Sequence, residues 1–469
     1  MRTALIATLG AAVLVSAAEA QTQRSEPTAY ALTNARIVVA PGRTIERGTV
    51  VIRDGRIAAV GANVSAPSDV YRIDLAGRTV YAGLIDVASE LGLPRPQTQG
   101  GGGPPAGAPT QFMQAQQRQA ASGGQGVIPE IQPTRLASEV FEPREADVEA
   151  ARAMGVTIAG LAFSNAIFPG QTAVVSLATL NRDSMVLRPS AALQVGLTTR
   201  RGGYPGTLMG TLAFIEQSFE NAKYEYRVAQ QFQRNPGSGP RPVHDPEREV
   251  LFPALNRQMP VWIHASREND LHRAVRLAKS LGVEYNLVGA MEGYRVASTL
   301  AKEGRPVIVT FAYPDVDQVT GRAFEMNYAP ASGRDSAKTA ADSAIARTLR
   351  GNAAALVKAG VPIALTSYGL QRPADFRERV RGAIEAGLPA DEALRALTVT
   401  PARLLGLERV AGTVEAGKLA NLVVVEGDLF ARDGRIRAVF IEGRRFEIRE
   451  PSRQGAQQRA QGRGQEETR

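Results

Sequence analysis

Between residues 30 and 80 the apolar positions fall in short runs, 35–40, 48–53, 56–60 and 71–75, that turn residues interrupt every few positions. Pro41-Gly42 and Asp54-Gly55 are the clearest interruptions. Asp-Gly suits a two-residue hairpin, whose central positions take positive φ, so the segment predicts a small antiparallel β unit. The same pattern returns near the other end, where 422–425, 436–441 and 445–448 are strand-like and are separated by Glu426-Gly427-Asp428 and Asp433-Gly434. The two ends are expected to pair into one sheet.

Between them the period alternates. Apolar runs at 79–85, 156–162, 172–177, 260–264, 284–288, 306–309 and 362–366 read as strands. They are interleaved with helical spacing at 145–154, 209–232, 270–281, 293–303, 340–359, 374–386 and 390–405. Repeated βα units place the chain in the α/β class and predict a closed parallel (β/α)8 barrel. The pattern does not place a fourth strand. The expected layout is a composite β-sandwich domain from 30–78 plus 412–449, with the barrel over 79–411.

Two stretches hold too little apolar surface to offset the entropy of ordering them. Residues 94–133 are rich in Gly, Pro and Gln, and 451–469 are polar with many Gln and Arg. The first makes an insertion at about 95–135 on the face where barrel active sites lie, either a lid or a linker-like insertion; the second is a tail from 450 to 469. At the N-terminus, Arg2, the apolar run 4–18 and Ala18-Glu19-Ala20 have the form of a signal peptide over 1–20. That run is shorter than the roughly 20 apolar residues of a spanning helix. The expected product is periplasmic or secreted, with no membrane segment after cleavage. Without cysteine there is no disulfide to hold it, only its core.

The formal net charge is +9, from 55 Lys and Arg against 46 Asp and Glu. Only six of the cations are lysine and they are scattered, with no basic stripe interleaved with aromatics, so no nucleic-acid partner is expected.

Five segments change the picture. Ala31-Leu32-Thr33-Asn34-Ala35-Arg36-Ile37, Val51-Ile52-Arg53-Asp54-Gly55-Arg56-Ile57 and Asp74-Leu75-Ala76-Gly77-Arg78-Thr79-Val80-Tyr81-Ala82-Gly83-Leu84-Ile85-Asp86 resemble the entry of amidohydrolases similar to imidazolonepropionase. Leu397-Thr398-Val399-Thr400-Pro401-Ala402 and Gly412-Thr413-Val414-Glu415-Ala416-Gly417-Lys418-Leu419-Ala420-Asn421 resemble their exit. The resemblance implies a barrel with a β domain built from both termini, and hydrolysis of C–N or related bonds by water that one or two divalent metals activate. It also implies the ligands: His-x-His after the first strand, one His each from the fifth and sixth, and an Asp from the eighth.

Position by position, the resemblance places Ala88 and Glu90 where the first-strand histidines belong. Val261-Trp262-Ile263-His264-Ala265 keeps the fifth-strand motif, which makes His264 the one retained family ligand and a weak metal position. The sixth strand, Tyr285-Asn286-Leu287-Val288-Gly289-Ala290, has no His, and Tyr368 stands at the eighth-strand Asp position. A phenol ionises near pH 10 and is a poor substitute for a carboxylate. A catalytic zinc usually takes three protein ligands, whereas the whole chain has three His and no Cys. His244 lies in a Pro-rich loop and His272 on a polar helix face. This shortage argues against a binuclear zinc site and leaves either no cofactor or a single weakly held divalent metal.

The candidate catalytic residues are therefore His264, Glu90 and Tyr368, with Asp86 and Gln171 as candidate substrate contacts. His264, Glu90 and Asp86 could form a reduced oxygen-rich site or a metal-free base pair, or Glu90 could be ion-paired and His264 a buried filler. Phe168-Pro169-Gly170-Gln171-Thr172-Ala173 resembles a turn in exported relatives, where Gln171 is either a ligand contact or a structural turn residue. Three functions stay open: a hydrolase acting on an amide or peptide-like small molecule; a binding protein without turnover; and a scaffold subunit pairing with an active homologue. A homo-oligomer is equally open.

Overall fold

The structure is a computed structural model that describes residues 29–94, 128, 130–200, 203–237, 239, 241–313 and 344–448. The expected signal, most of the 95–135 insertion, the 450–469 tail and the start of the 340–359 helix lie outside the described residues. In chain order the strands are β1 (Tyr30–Ala40), β2 (Arg43–Arg53), β3 (Arg56–Gly61), β4 (Tyr71–Asp74), β5 (Thr79–Ala82), β6 (Leu84–Ser89), β7 (Val156–Leu161), β8 (Gly170–Ser176), β9 (Val186–Gly196), β10 (Val261–Ala265), β11 (Tyr285–Gly289), β12 (Val307–Thr310), β13 (Ile363–Thr366), β14 (Leu422–Glu426), β15 (Arg435–Ile441) and β16 (Arg444–Glu447).

Both termini build one sheet, in the order β16-β15-β14-β5-β1-β2-β3, with β4 also on β1. Asp54 and Gly55 both take positive φ, as the hairpin between β2 and β3 requires. The seam between the terminal segments is the antiparallel pair of β5 and β14, where Val80 opposes Val424. Leu32, Ile37, Val50, Ile52, Val80, Leu422 and Phe440 fill the core of this sheet. The apolar run read as one strand over 79–85 is thus two: 79–82 belongs to the composite sheet, and the barrel begins at Leu84.

The barrel sheet runs β6 to β13 in sequence order. The unplaced fourth strand is β9, whose first half is only partly buried and contains Pro189 at a break in the ladder with β8. The expectation of an all-parallel barrel fails at β8, which runs antiparallel to both β7 and β9. The reason lies in the link at 162–169, far shorter than the dozen or more residues of a parallel crossover.

Outside the barrel, helix Glu268–Leu281 carries Glu268 and Asp270 in its first turn and ends at Gly282 with φ 71°, the charge and cap expected of a well-formed helix. The helix expected over 390–405 breaks at Thr398 into Ala390–Leu397 and Val399–Leu404. Among the described residues no helix is long and apolar enough to cross a membrane.

Candidate functional site

Alternation along β10 sends Val261, Ile263 and Ala265 into the layer under the helices, and Trp262 into the barrel with Ile158, Val174, Val288 and Ile308. His264, two residues on, shares the inward face. Its Nε2 lies 3.0 Å from Oε1 of Gln194 on β9. An amide oxygen only accepts, so this contact puts the ring proton on Nε2 and leaves Nδ1 as a bare lone pair. Among the described residues Nδ1 has no hydrogen-bond partner, and neither does Gln194 Nε2 or Trp262 Nε1. Burial disfavours the imidazolium and pulls the His264 pKa down to about 4, so the ring is neutral at pH 7.

Tyr368 follows β13 and packs its ring against His264, with centroids 5.1 Å apart. Its hydroxyl donates to the Phe163 carbonyl at 3.2 Å. Burial, then the nearby Glu90 carboxylate, push the phenol well above its usual pKa. Glu90, half-buried, is the first residue after β6. His264, Tyr368 and Glu90 therefore meet at the C-terminal end of the barrel.

Asp86 and Gln171 have other neighbours. The β6 and β13 edges lack a backbone ladder, and Asp86 bridges them: Oδ1 accepts from Thr366 Oγ1 at 2.8 Å and the Ser367 N–H at 3.1 Å, while Oδ2 accepts from Ser367 Oγ. Burial outweighs these donors and raises the Asp86 pKa. Gln171 lies on the outer face of β8, where its Nε2 donates to the Pro133 carbonyl at 3.3 Å and its Oε1 accepts from Ser190 Oγ at 2.5 Å. His244 is exposed beside Glu249 and His272 is half-buried on its helix.

The rim over His264 is closed in by backbone. Gly170 and Gly196 sit next to Gln194 and His264 in the ladders. A Cβ on Gly196 would lie 2.0 Å from Asn165 Oδ1 and 2.2 Å from the Ala166 carbonyl. A Cβ on Gly170 would lie 2.5 Å from the Arg135 carbonyl and 2.8 Å from the Phe163 ring. Segment 163–168 can lie against the barrel mouth because these two inward positions have no side chain. A polar cavity of about 370 Å³, lined by Arg267, Glu268, Asp270, Arg273, Glu292 and Arg295, opens beside the mouth between the segments after β10 and β11 and includes none of the candidate residues.

Two residues escaped the sequence reading. Gln194 had no strand to assign it a face, although a Gln inside the apolar run 191–195 is itself a signal. Trp262 was read only as part of the His264 motif.

Residues 248–446 match the amidohydrolase family. An amidohydrolase from Thermotoga maritima MSB8 shares the fold at a TM-score of 0.72 and 24% identity, covering 89% of this chain and all of its own. A prolidase complexed with N-methylphosphonate-L-proline superposes at 0.52 with 18% identity, covering 90% of this chain and all of its own. Molinate hydrolase superposes at 0.53 with 16% identity, covering 90% and 95%. No curated relative matches the chain.

Proposed function

We propose that the chain, whose residues 248–446 match the amidohydrolase family, is a hydrolase that cleaves a carbon–nitrogen bond in a small amide, cyclic amide or peptide-like substrate at the barrel mouth. His264 carries this reading: a buried neutral imidazole whose bare Nδ1 faces no protein donor among the described residues. The fold neighbours that are hydrolases, a prolidase and molinate hydrolase among them, support the reaction class by analogy alone.

The metals that the family resemblance implies need several imidazoles and a carboxylate. At those places this chain supplies Ala88, Glu90, His264 and Tyr368, and the Tyr368 hydroxyl is committed to Phe163. Among the described residues no three His, Cys, Asp or Glu side chains are grouped to hold an ion. That donor set does not fit a two-cation centre; the hydrolysis we propose uses side chains alone.

In this scheme a water oxygen adds to the amide carbon, the water proton passes to His264 Nδ1, and the carbonyl electron pair moves onto oxygen. Collapse restores the carbonyl and breaks the C–N bond. The proton on Nδ1 then goes to the leaving nitrogen, which yields an acid and an amine. Glu90 is the second candidate base. A base with a pKa near 4 is far below the optimum at neutral pH, so slow turnover is expected.

The test is amine release by the purified chain from a panel of N-acyl amino acids, cyclic amides and dipeptides. Turnover should survive exhaustive chelation, vanish in His264→Ala and persist in His244→Ala. Activity that chelation removes and a divalent metal restores would transfer the chemistry to a cation. A second reading, ligand binding without turnover, is favoured by the Tyr368 ring against His264 and by segment 163–168 across the rim. It requires thermal stabilisation by a panel member with no product formed.

A further inference from the structure

Two of the unpartnered polar side chains inside the barrel belong to paired residues of neighbouring strands. Gln194 and Trp262 are partners in the β9–β10 ladder, roughly 4.8 Å apart as neighbouring strands are. Both are fully buried. Gln194 commits its amide oxygen to His264, which leaves its NH2 group unused, and the indole N–H of Trp262 also lacks an acceptor among the described residues. Native interiors rarely bury such donors without water or a ligand to receive them. The side chains packed around Trp262 include Ile85, Ile158, Val174, Val288, Ile308 and Ala364, all apolar.

A buried pair of N–H donors set among apolar side chains selects a neutral oxygen acceptor, because a carboxylate would lose its hydration there. We propose that the Gln194 and Trp262 N–H groups bind the carbonyl oxygen of a neutral amide ligand beneath His264, and hold the negative charge that develops on that oxygen when water adds to the carbonyl. Such donors do their work when they are fixed before the reaction, which two rigid neighbouring strands accomplish. The catalytic half of this proposal rests on the hydrolase reading; the binding half stands without it.

The chain has a single tryptophan, so its one indole N–H resonance in a proton–nitrogen correlation spectrum assigns itself. Titration of the full chain with acetamide should move that resonance downfield to saturation, while acetate, of similar size but charged, should leave it in place. Gln194→Met should weaken acetamide binding by about five- to tenfold, the worth of one neutral hydrogen bond. A resonance that stays still with acetamide, moves equally with acetate, or titrates with undiminished affinity in Gln194→Met overturns the proposal. For the reaction, Trp262→Phe keeps the ring and removes the donor, and kcat should fall about a hundredfold while KM rises by no more than the roughly five- to tenfold that one ground-state hydrogen bond is worth; an unchanged kcat overturns the catalytic half. An acetamide shift without hydrolysis of any panel member removes the hydrolase reading and keeps the site. Hydrolysis beside an unmoved resonance does the reverse.

Discussion

His264 and Asp86 are buried titratable side chains whose burial acts in opposite pH directions. For His264 the unfolded chain takes up a proton below its ordinary value of 6.5, whereas the folded chain resists until about 4. Stability therefore falls as pH drops through that window, by at most on the order of 3 kcal/mol. For Asp86 the folded pKa is raised, so the folded chain keeps its proton to higher pH than the unfolded one. Stability then falls as pH rises from the ordinary carboxylate value through the raised one. Urea unfolding from about pH 4 to about pH 8 checks this. Asp86→Asn should remove the decline on the alkaline side and His264→Gln the decline on the acid side. Profiles that neither substitution alters would mean that other groups set the pH dependence.

At the scale of single elements, what the sequence conveyed followed periodicity. Mainly apolar strands buried along their whole length, such as β10, β11 and β13, were visible because both of their faces are buried. β9 was not, since its first half is partly exposed and carries Arg188 and Pro189. The direction of β8 could not be read from its own residues at all, because it depends on the length of the link before it. His264, Glu90 and Tyr368 came from motif positions and do gather at one end of the barrel. Asp86 and Gln171 are instead bonded to neighbours 280 and 19 positions away, which no local pattern announces. The rim glycines are the sharpest case, since what makes Gly196 necessary is the backbone of another segment. Gly196→Ala should destabilise the fold by about 2 kcal/mol, the cost of an overpacked methyl group, and should displace segment 163–168. Gly239→Ala, where a Cβ meets nothing within 4 Å, should leave the midpoint of thermal unfolding in place. Equal midpoints for the two variants would show that the rim segment yields without cost.

For the molecule as a whole, the question is whether barrel and composite sheet unfold together. Their apolar interiors are continuous: Val423, Val425, Ile436 and Val439 of the sheet pack in the same cluster as Val156, Phe376 and Val380 of the barrel. Arginines add polar ties across the junction. Arg377 Nε and Nη2 donate to the Leu429 carbonyl at 3.0 and 2.7 Å, and Nη2 also donates to the Gly434 carbonyl at 2.6 Å. Arg152 donates to the Leu177 carbonyl at 2.8 Å and stacks over Phe446 at 3.9 Å. Burial lowers the pKa of both arginines, yet the group ionises so far above neutrality that each remains a cation and a full set of donors. Arg377→Met keeps the apolar stem and strands two carbonyls, which should cost about 2–4 kcal/mol. Because the shared core remains, calorimetry should show one transition at a lower midpoint. Two separate transitions in the variant would mean that the arginine ties, rather than the continuous core, couple the sheet to the barrel.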